Sequence, residues 1–213
     1  MRFFRGAVVG VLVVLVVLVG RTASAQSAFP APLERDFVVR DVAFASGDTA
    51  PEIRLHYRTL GQPRKDADGV VRNAVLILHG TGGSGAGFLG PGYGGQLFGA
   101  GQLLDAQRYF VILPDNLGHG QSSKPSDGLR MAFPRYRYAD MVRLQHRLVT
   151  EGLGLTHLRI VMGTSMGAMH AWMWGYMYPT FADGLVPLAS NPVEIGGRNR
   201  VWRKLLVDAI VTD

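Results

Sequence analysis

The chain has no cysteine among its 213 residues. Disulfide staples, thiol catalysis and thiolate metal sites are therefore excluded, and stability must come from an ordinary apolar core. Dense runs of one charge are also missing. Lys and Arg number 22 against 16 Asp and Glu. Arg2, Arg5 and Arg21 fall in an acid-free stretch at the start, and without them the balance is 19 to 16. That small excess gives no reason to expect nucleic acid. Arg198, Arg200, Arg203 and Lys204 read instead as the wet face of a helix. There is no H-E-x-x-H, no histidine pair at ligand spacing and no G-K-[ST], so neither a metal site nor a phosphate loop is expected. Internal repeats and long low-complexity linkers are absent too.

The one long apolar run lies at the N-terminus, over residues 6–20. It is short for a span of about 20 residues. With Arg2 and Arg5 before it and Ala23-Ser24-Ala25 after it, residues 1–25 read as a cleavable signal peptide, with Gln26 the first mature residue. The expectation is an exported protein, periplasmic or extracellular, with no stable membrane anchor after cleavage. Residues 26–36 read as an extended lead-in, and 37–213 as one domain with enough apolar content for a core.

Within that domain, residues 37–44 and 52–60 read as strands separated by the turn Ser46-Gly47-Asp48. In the second, Ile53, Leu55 and Tyr57 alternate with Arg54, His56 and Arg58, which predicts one wet face and a surface position for His56. Residues 74–78, 109–113 and 158–162 are short continuous apolar runs, the pattern of strands covered on both faces. Met141, Leu144 and Leu148 mark a helix over 138–151, with His146 off the stripe and expected to be solvated. Residues 184–188 read as a further strand interrupted by Pro187, and 198–211 as an amphipathic helix. Apolar strands alternating with helices imply an α/β fold, a mostly parallel sheet flanked by helices on both sides.

Gly163-Thr164-Ser165-Met166-Gly167 joins a strand run to a helical pattern that Pro179 ends. A serine at such a corner is forced into a tight turn that lifts its hydroxyl clear of the sheet, while the helix N-terminus supplies N–H groups for developing negative charge. Ser165 is thus the candidate nucleophile. His79-Gly80-Thr81 ends the 74–78 run, and in a parallel sheet the strand C-termini share one edge. The N–H groups of Thr81 and Met166 are the candidate oxyanion donors, with Gly80 and Gly82 allowing substrate to approach closely. Gly80 to Gly85 also fits G-x-G-x-x-G, but no acid ends the next strand about 20 residues on; the nearest, Asp105, precedes it. No nucleotide or other cofactor is expected. In Asp115-Asn116-Leu117-Gly118-His119-Gly120-Gln121-Ser122, Asp115 and His119 are expected to fix loop geometry at the sheet edge.

Together, His79-Gly80, Asp115 to Gly120 with Ser122, and the Ser165 corner resemble the α/β-hydrolase superfamily. The Ser-Met-Gly-Ala-Met-His run, Tyr138-Ala139-Asp140-Met141-Val142 and the segments 73–79 and 105–115 are most similar to its homoserine O-acetyltransferase-like group. The resemblance implies Ser165 as nucleophile, Thr81 and Met166 as oxyanion donors and a small-molecule acyl or ester substrate. It also implies an acid and a histidine after the serine. The one later histidine is His170, on the same helix, and it reads as a helix-face residue; Asp183, Asp208 and Asp213 end no suitable strand. The expectation is a chain that stops as the lid begins, leaving the 184–188 strand as an exposed edge. Three functions follow: a secreted serine hydrolase, an acyltransferase to an alcohol such as homoserine, or a binding module without the triad.

Overall fold

A computed structural model describes residues 29–213. The expected signal peptide and cleavage site, residues 1–25, lie outside the described residues. Six strands form one sheet in the order β1-β2-β4-β3-β5-β6. They are β1 (Leu33–Ala43), β2 (Thr49–Leu60), β3 (Ala74–Leu78), β4 (Phe110–Pro114), β5 (Ile160–Thr164) and β6 (Leu185–Leu188). β1 pairs antiparallel with β2, and β2 with β4, while β4, β3, β5 and β6 run parallel. β1 begins at Leu33, so the expected lead-in of 26–36 already joins the sheet before residue 37.

The short apolar runs are strands because both of their faces are covered. Ala74, Leu76 and Leu78 of β3, with Phe110 and Ile112 of β4, pack beneath α2 (Tyr138–Arg147) and α3 (Met166–Met177). Val75 and Ile77, with Val111 and Leu113, pack on the opposite side against Phe88, Phe98 and Leu104. That side is covered by the 85–106 segment, whose regular pieces are a 3₁₀ turn (Gly85–Leu89) and the single-turn α1 (Gly94–Leu97). A continuous apolar strand reports that both faces are dry, whatever covers them.

Helix α2 opens at Arg137, whose N–H donates to Asp140 Oδ2 at 2.9 Å. Asp140 Oδ1 accepts from Ala45 N–H at 3.0 Å, which ties the end of the β1–β2 hairpin to this helix. A π-helical turn, Leu148–Gly152, continues it. α3 stops just before Tyr178-Pro179, because proline disfavours the helical conformation in the residue before it. α4 (Gly197–Thr212) forms as expected, but none of its residues is buried. Trp202, Leu205, Leu206 and Ile210 stand exposed on it. β6 has one neighbour and forms an edge of the sheet, with Leu188 exposed.

Two surface assignments are corrected. His56 is buried, as is Arg58. The predicted alternation holds, but its polar side is a cross-strand ladder. Glu34 pairs with Arg58 at 3.0 Å, and Asp36 with His56 at 2.8 Å. The 115–123 loop closes over the ladder: Ser122 Oγ accepts from His56 N–H, and Ser123 Oγ from Arg54 N–H. Polarity marks a face, and distant chain decides whether that face is wet. His146 is likewise not free in solvent. Its ring stacks on Tyr178 with centroids 3.9 Å apart, and burial lowers its pKa. The apolar stripe marks the sheet side of α2, whereas the end of α3 packs along its flank.

Candidate active site

The corner at the end of β5 is as sharp as the sequence requires. Ser165 has φ +50° and ψ −113°, a left-handed backbone that costs a non-glycine residue about 1–3 kcal/mol. Two close approaches enforce it. A Cβ on Gly163 would lie 2.2 Å from the Gly167 carbonyl oxygen, and one on Gly167 would lie 2.0 Å from that of Leu78. Neither position tolerates a side chain without moving backbone. Ser165 N–H donates to Leu188 O at 2.9 Å, which fastens the corner to β6. The Ser165 carbonyl accepts from Ala168 and Met169 N–H, starting α3. Ser165 itself remains exposed.

β3 ends beside this corner, as the shared strand edge predicts. A Cβ on Gly80 would sit 3.3 Å from Ser165 Cβ. Gly83 N–H donates to Gly80 O at 3.1 Å, turning the chain after β3, and Thr81 and Gly82 are exposed in that turn. Met166 is the first residue of α3, so its N–H has no intrahelical carbonyl to bind. Its side chain is buried among Leu55, Tyr57 and Met141. Gly85, the last glycine of the G-x-G-x-x-G match, starts a 3₁₀ turn and packs on Leu113.

The two loops of this edge are clasped from beneath. Asp115, 1% exposed, accepts from Gly85 N–H at 2.7 Å, Gln121 N–H at 2.8 Å and Arg58 Nη1 at 3.0 Å. One carboxylate thus joins the loop after β3, the loop after β4 and the β1–β2 ladder. His79 makes a second clasp. Its Nδ1–H donates to Gly80 O at 2.8 Å, and its Nε2 accepts from Asn116 N–H at 2.9 Å. Those partners assign the neutral tautomer, and burial lowers its pKa. His119, its ring 5.3 Å from that of His79, bonds Leu117 O at 3.1 Å. The loop-fixing role read for Asp115 and His119 matches this geometry. The motif gave no sign of His79 as a clasp.

Sequence reasoning also missed a buried relay behind the corner. Trp174 Nε1–H donates to Gln145 Oε1 at 2.9 Å. Gln145 Nε2 must then donate, and its acceptors are Asn116 Oδ1 at 2.5 Å and His170 Nδ1 at 3.1 Å. The indole, which only donates, thus fixes every orientation in the chain. It leaves two buried donors, His170 Nε2–H and Asn116 Nδ2, without partners. His170 lies on a helix face, but one turned into the core, fully buried and edge-on to Tyr138 at 4.8 Å. Burial, followed by the neighbouring His79 and His119, lowers its pKa to about 3.

None of the six histidines is hydrogen-bonded to Ser165 among the described residues. His157 and Asp183 approach to 3.1 Å, but they flank the opposite ends of β5 and β6, roughly 16 Å away at about 3.3 Å per strand residue. Asp183 also pairs with Arg159. Asp208 holds Lys204 on α4. The described residues therefore display a serine beside strand-end and helix-start amides, with no imidazole positioned to take its proton.

Known proteins match this arrangement. The alpha/beta hydrolase fold family matches residues 73–210. A homoserine O-acetyltransferase of Solidesulfovibrio magneticus is 40% identical over 161 residues, 68% of this chain and 39% of its own length. The solved acetyl esterase MekB superposes with TM-score 0.71 at 28% identity, covering 85% of this chain and 51% of its own. The homoserine O-acetyltransferase of Bacillus anthracis gives TM-score 0.61 at 26% identity, covering 73% and 46%. The chain spans less than half the length of the curated relatives it matches. On the strength of the matched segment and the sheet order, the chain belongs to the alpha/beta hydrolase fold family and resembles its homoserine O-acetyltransferase-like group.

Proposed function

We propose that Ser165 is the nucleophile of a secreted hydrolase acting on small-molecule acyl esters. The observation that carries this reading is the exposed serine held at φ +50° between β5 and α3. Ser165 Oγ attacks the ester carbonyl and forms a C–O bond, while its proton passes to a general base. The tetrahedral oxygen is held by the N–H groups of Thr81 and Met166, each such donor worth about 2.7–4 kcal/mol. The alcohol leaves, protonated by the same base, and water then releases the acid from the acyl-serine. Because no described histidine reaches Ser165, this reading needs a base from beyond these residues. Export rests on the basic start, apolar run and A-x-A site of residues 1–25.

A second reading, transfer of the acyl group to an alcohol, is favoured by the 40% identical relative. Kinetics of a chain extended to carry the base this reading needs, with p-nitrophenyl acetate and with acetyl-CoA in the presence and absence of homoserine, separate the two. Ester hydrolysis without an acceptor, lost in Ser165→Ala, is the expected result. Turnover that strictly needs homoserine overturns hydrolysis in favour of transfer. Unchanged hydrolysis in Ser165→Ala removes both readings.

A further inference from the structure

His79 directly precedes the Gly80–Thr81 peptide, and it is buried. Asn116 N–H is a main-chain group that can only donate, so His79 Nε2, 2.9 Å away, must accept. The one proton of the neutral ring is therefore on Nδ1, which donates to Gly80 O at 2.8 Å. Gly83 N–H donates to the same oxygen at 3.1 Å. Asn116 is itself held from behind: its Oδ1 accepts from Gln145 Nε2, whose amide is oriented by Trp174. The Gly80 carbonyl thus has a fixed direction, toward the buried ring.

Among the described residues every peptide is trans. In a planar trans peptide the C=O and the N–H that share the plane point opposite ways. Drawing Gly80 O toward the ring therefore turns Thr81 N–H away from it. That N–H has no acceptor among the described residues, and Thr81 is exposed. Ser165 adjoins the same peptide, since a Cβ on Gly80 would lie 3.3 Å from Ser165 Cβ. We propose that His79 is a positioning residue, which aims the Thr81 N–H at the oxygen of an acyl group attached at Ser165. This role rests on the acyl-ester reading above and deepens it: the donor is held in place before substrate arrives, so no reorganisation is needed during the reaction.

Two substitutions separate the two sides of the ring. An asparagine amide reaches the place of Nδ1 and can donate to Gly80 O, whereas a glutamine amide reaches the place of Nε2 and can accept from Asn116 N–H. Each keeps one bond and loses the other. Hydrolysis of p-nitrophenyl acetate is measured on the protein extended to carry its general base, with urea unfolding of the same variants. His79→Asn and His79→Gln should be destabilised alike. In His79→Gln alone, kcat should fall about ten- to a hundred-fold with KM unchanged, short of the roughly 10²–10³ lost when such a donor is removed outright. In a Thr81→Pro background, which has no N–H to aim, His79→Gln should lower kcat no further. Equal kcat in the two His79 variants, a loss confined to KM, or a full extra loss in the Thr81→Pro background would overturn the role of His79. The underlying reading fails differently: hydrolysis that survives Ser165→Ala removes the acyl-serine, whatever the His79 series shows.

Discussion

The junction of β3, β4 and β5 and the β6–α4 segment sit side by side in the chain fold and are held in opposite ways. At the junction Asp115 alone ties three segments together. In α4 no residue is buried, and its tertiary support is correspondingly thin. A strained serine persists only where its surroundings over-determine it. Among the described residues, constraint is concentrated around the candidate nucleophile and not in α4.

The largest expected effect that would break this comparison is at Asp115. Asp115→Ala leaves Arg58 buried with one carboxylate fewer and strands the Gly85 and Gln121 N–H groups. The expected loss is about 3–5 kcal/mol in urea unfolding, the usual cost of breaking a buried pair. A loss below about 1 kcal/mol would show that the clasp does not hold the edge. Gly167→Ala should cost about 3 kcal/mol, since its methyl meets the Leu78 carbonyl at 2.0 Å and backbone must yield.

Acid sharpens the same contrast. His170 has a folded pKa depressed to about 3, below the ordinary value of 6.5. In the unfolded chain it binds a proton that the buried ring refuses, so its contribution is present above pH 6.5 and is lost as pH falls toward 3. The slope is about 1.4 kcal/mol per pH unit for one such group. His170→Gln should reduce that slope between pH 6 and 4, measured by urea midpoints across the range. An unchanged slope would place the acid sensitivity elsewhere. The smallest effect belongs to α4: Trp202→Ala and Leu206→Ala should stay within about 0.5 kcal/mol. Amide exchange in α4 should also be much faster than in β3 and β5.

What was readable in the sequence follows the same division. Strands buried on both faces announce themselves as five-residue apolar runs, and Gly163-x-Ser165-x-Gly167 carries its own geometry because two glycines leave no room for side chains. The C-terminal edge followed from strand direction alone. His56 and His146 were misread because periodicity reports polarity along one element, whereas their cover comes from the 115–123 loop and from the end of α3. The Trp174–Gln145–Asn116–His170 relay was invisible for a related reason. Its members lie up to 58 residues apart, from Asn116 to Trp174, and each alone is an unremarkable residue.

The most direct test of the central claim is covalent capture of the displayed hydroxyl. The protein extended to carry the general base that the reading requires is treated with a fluorophosphonate, and the adduct is located by peptide mass spectrometry. The account predicts modification at Ser165 ahead of Ser46, Ser84 and Ser123, lost in Ser165→Ala. Equal labelling of those serines, or none at Ser165 in a chain that still unfolds cooperatively, would contradict it.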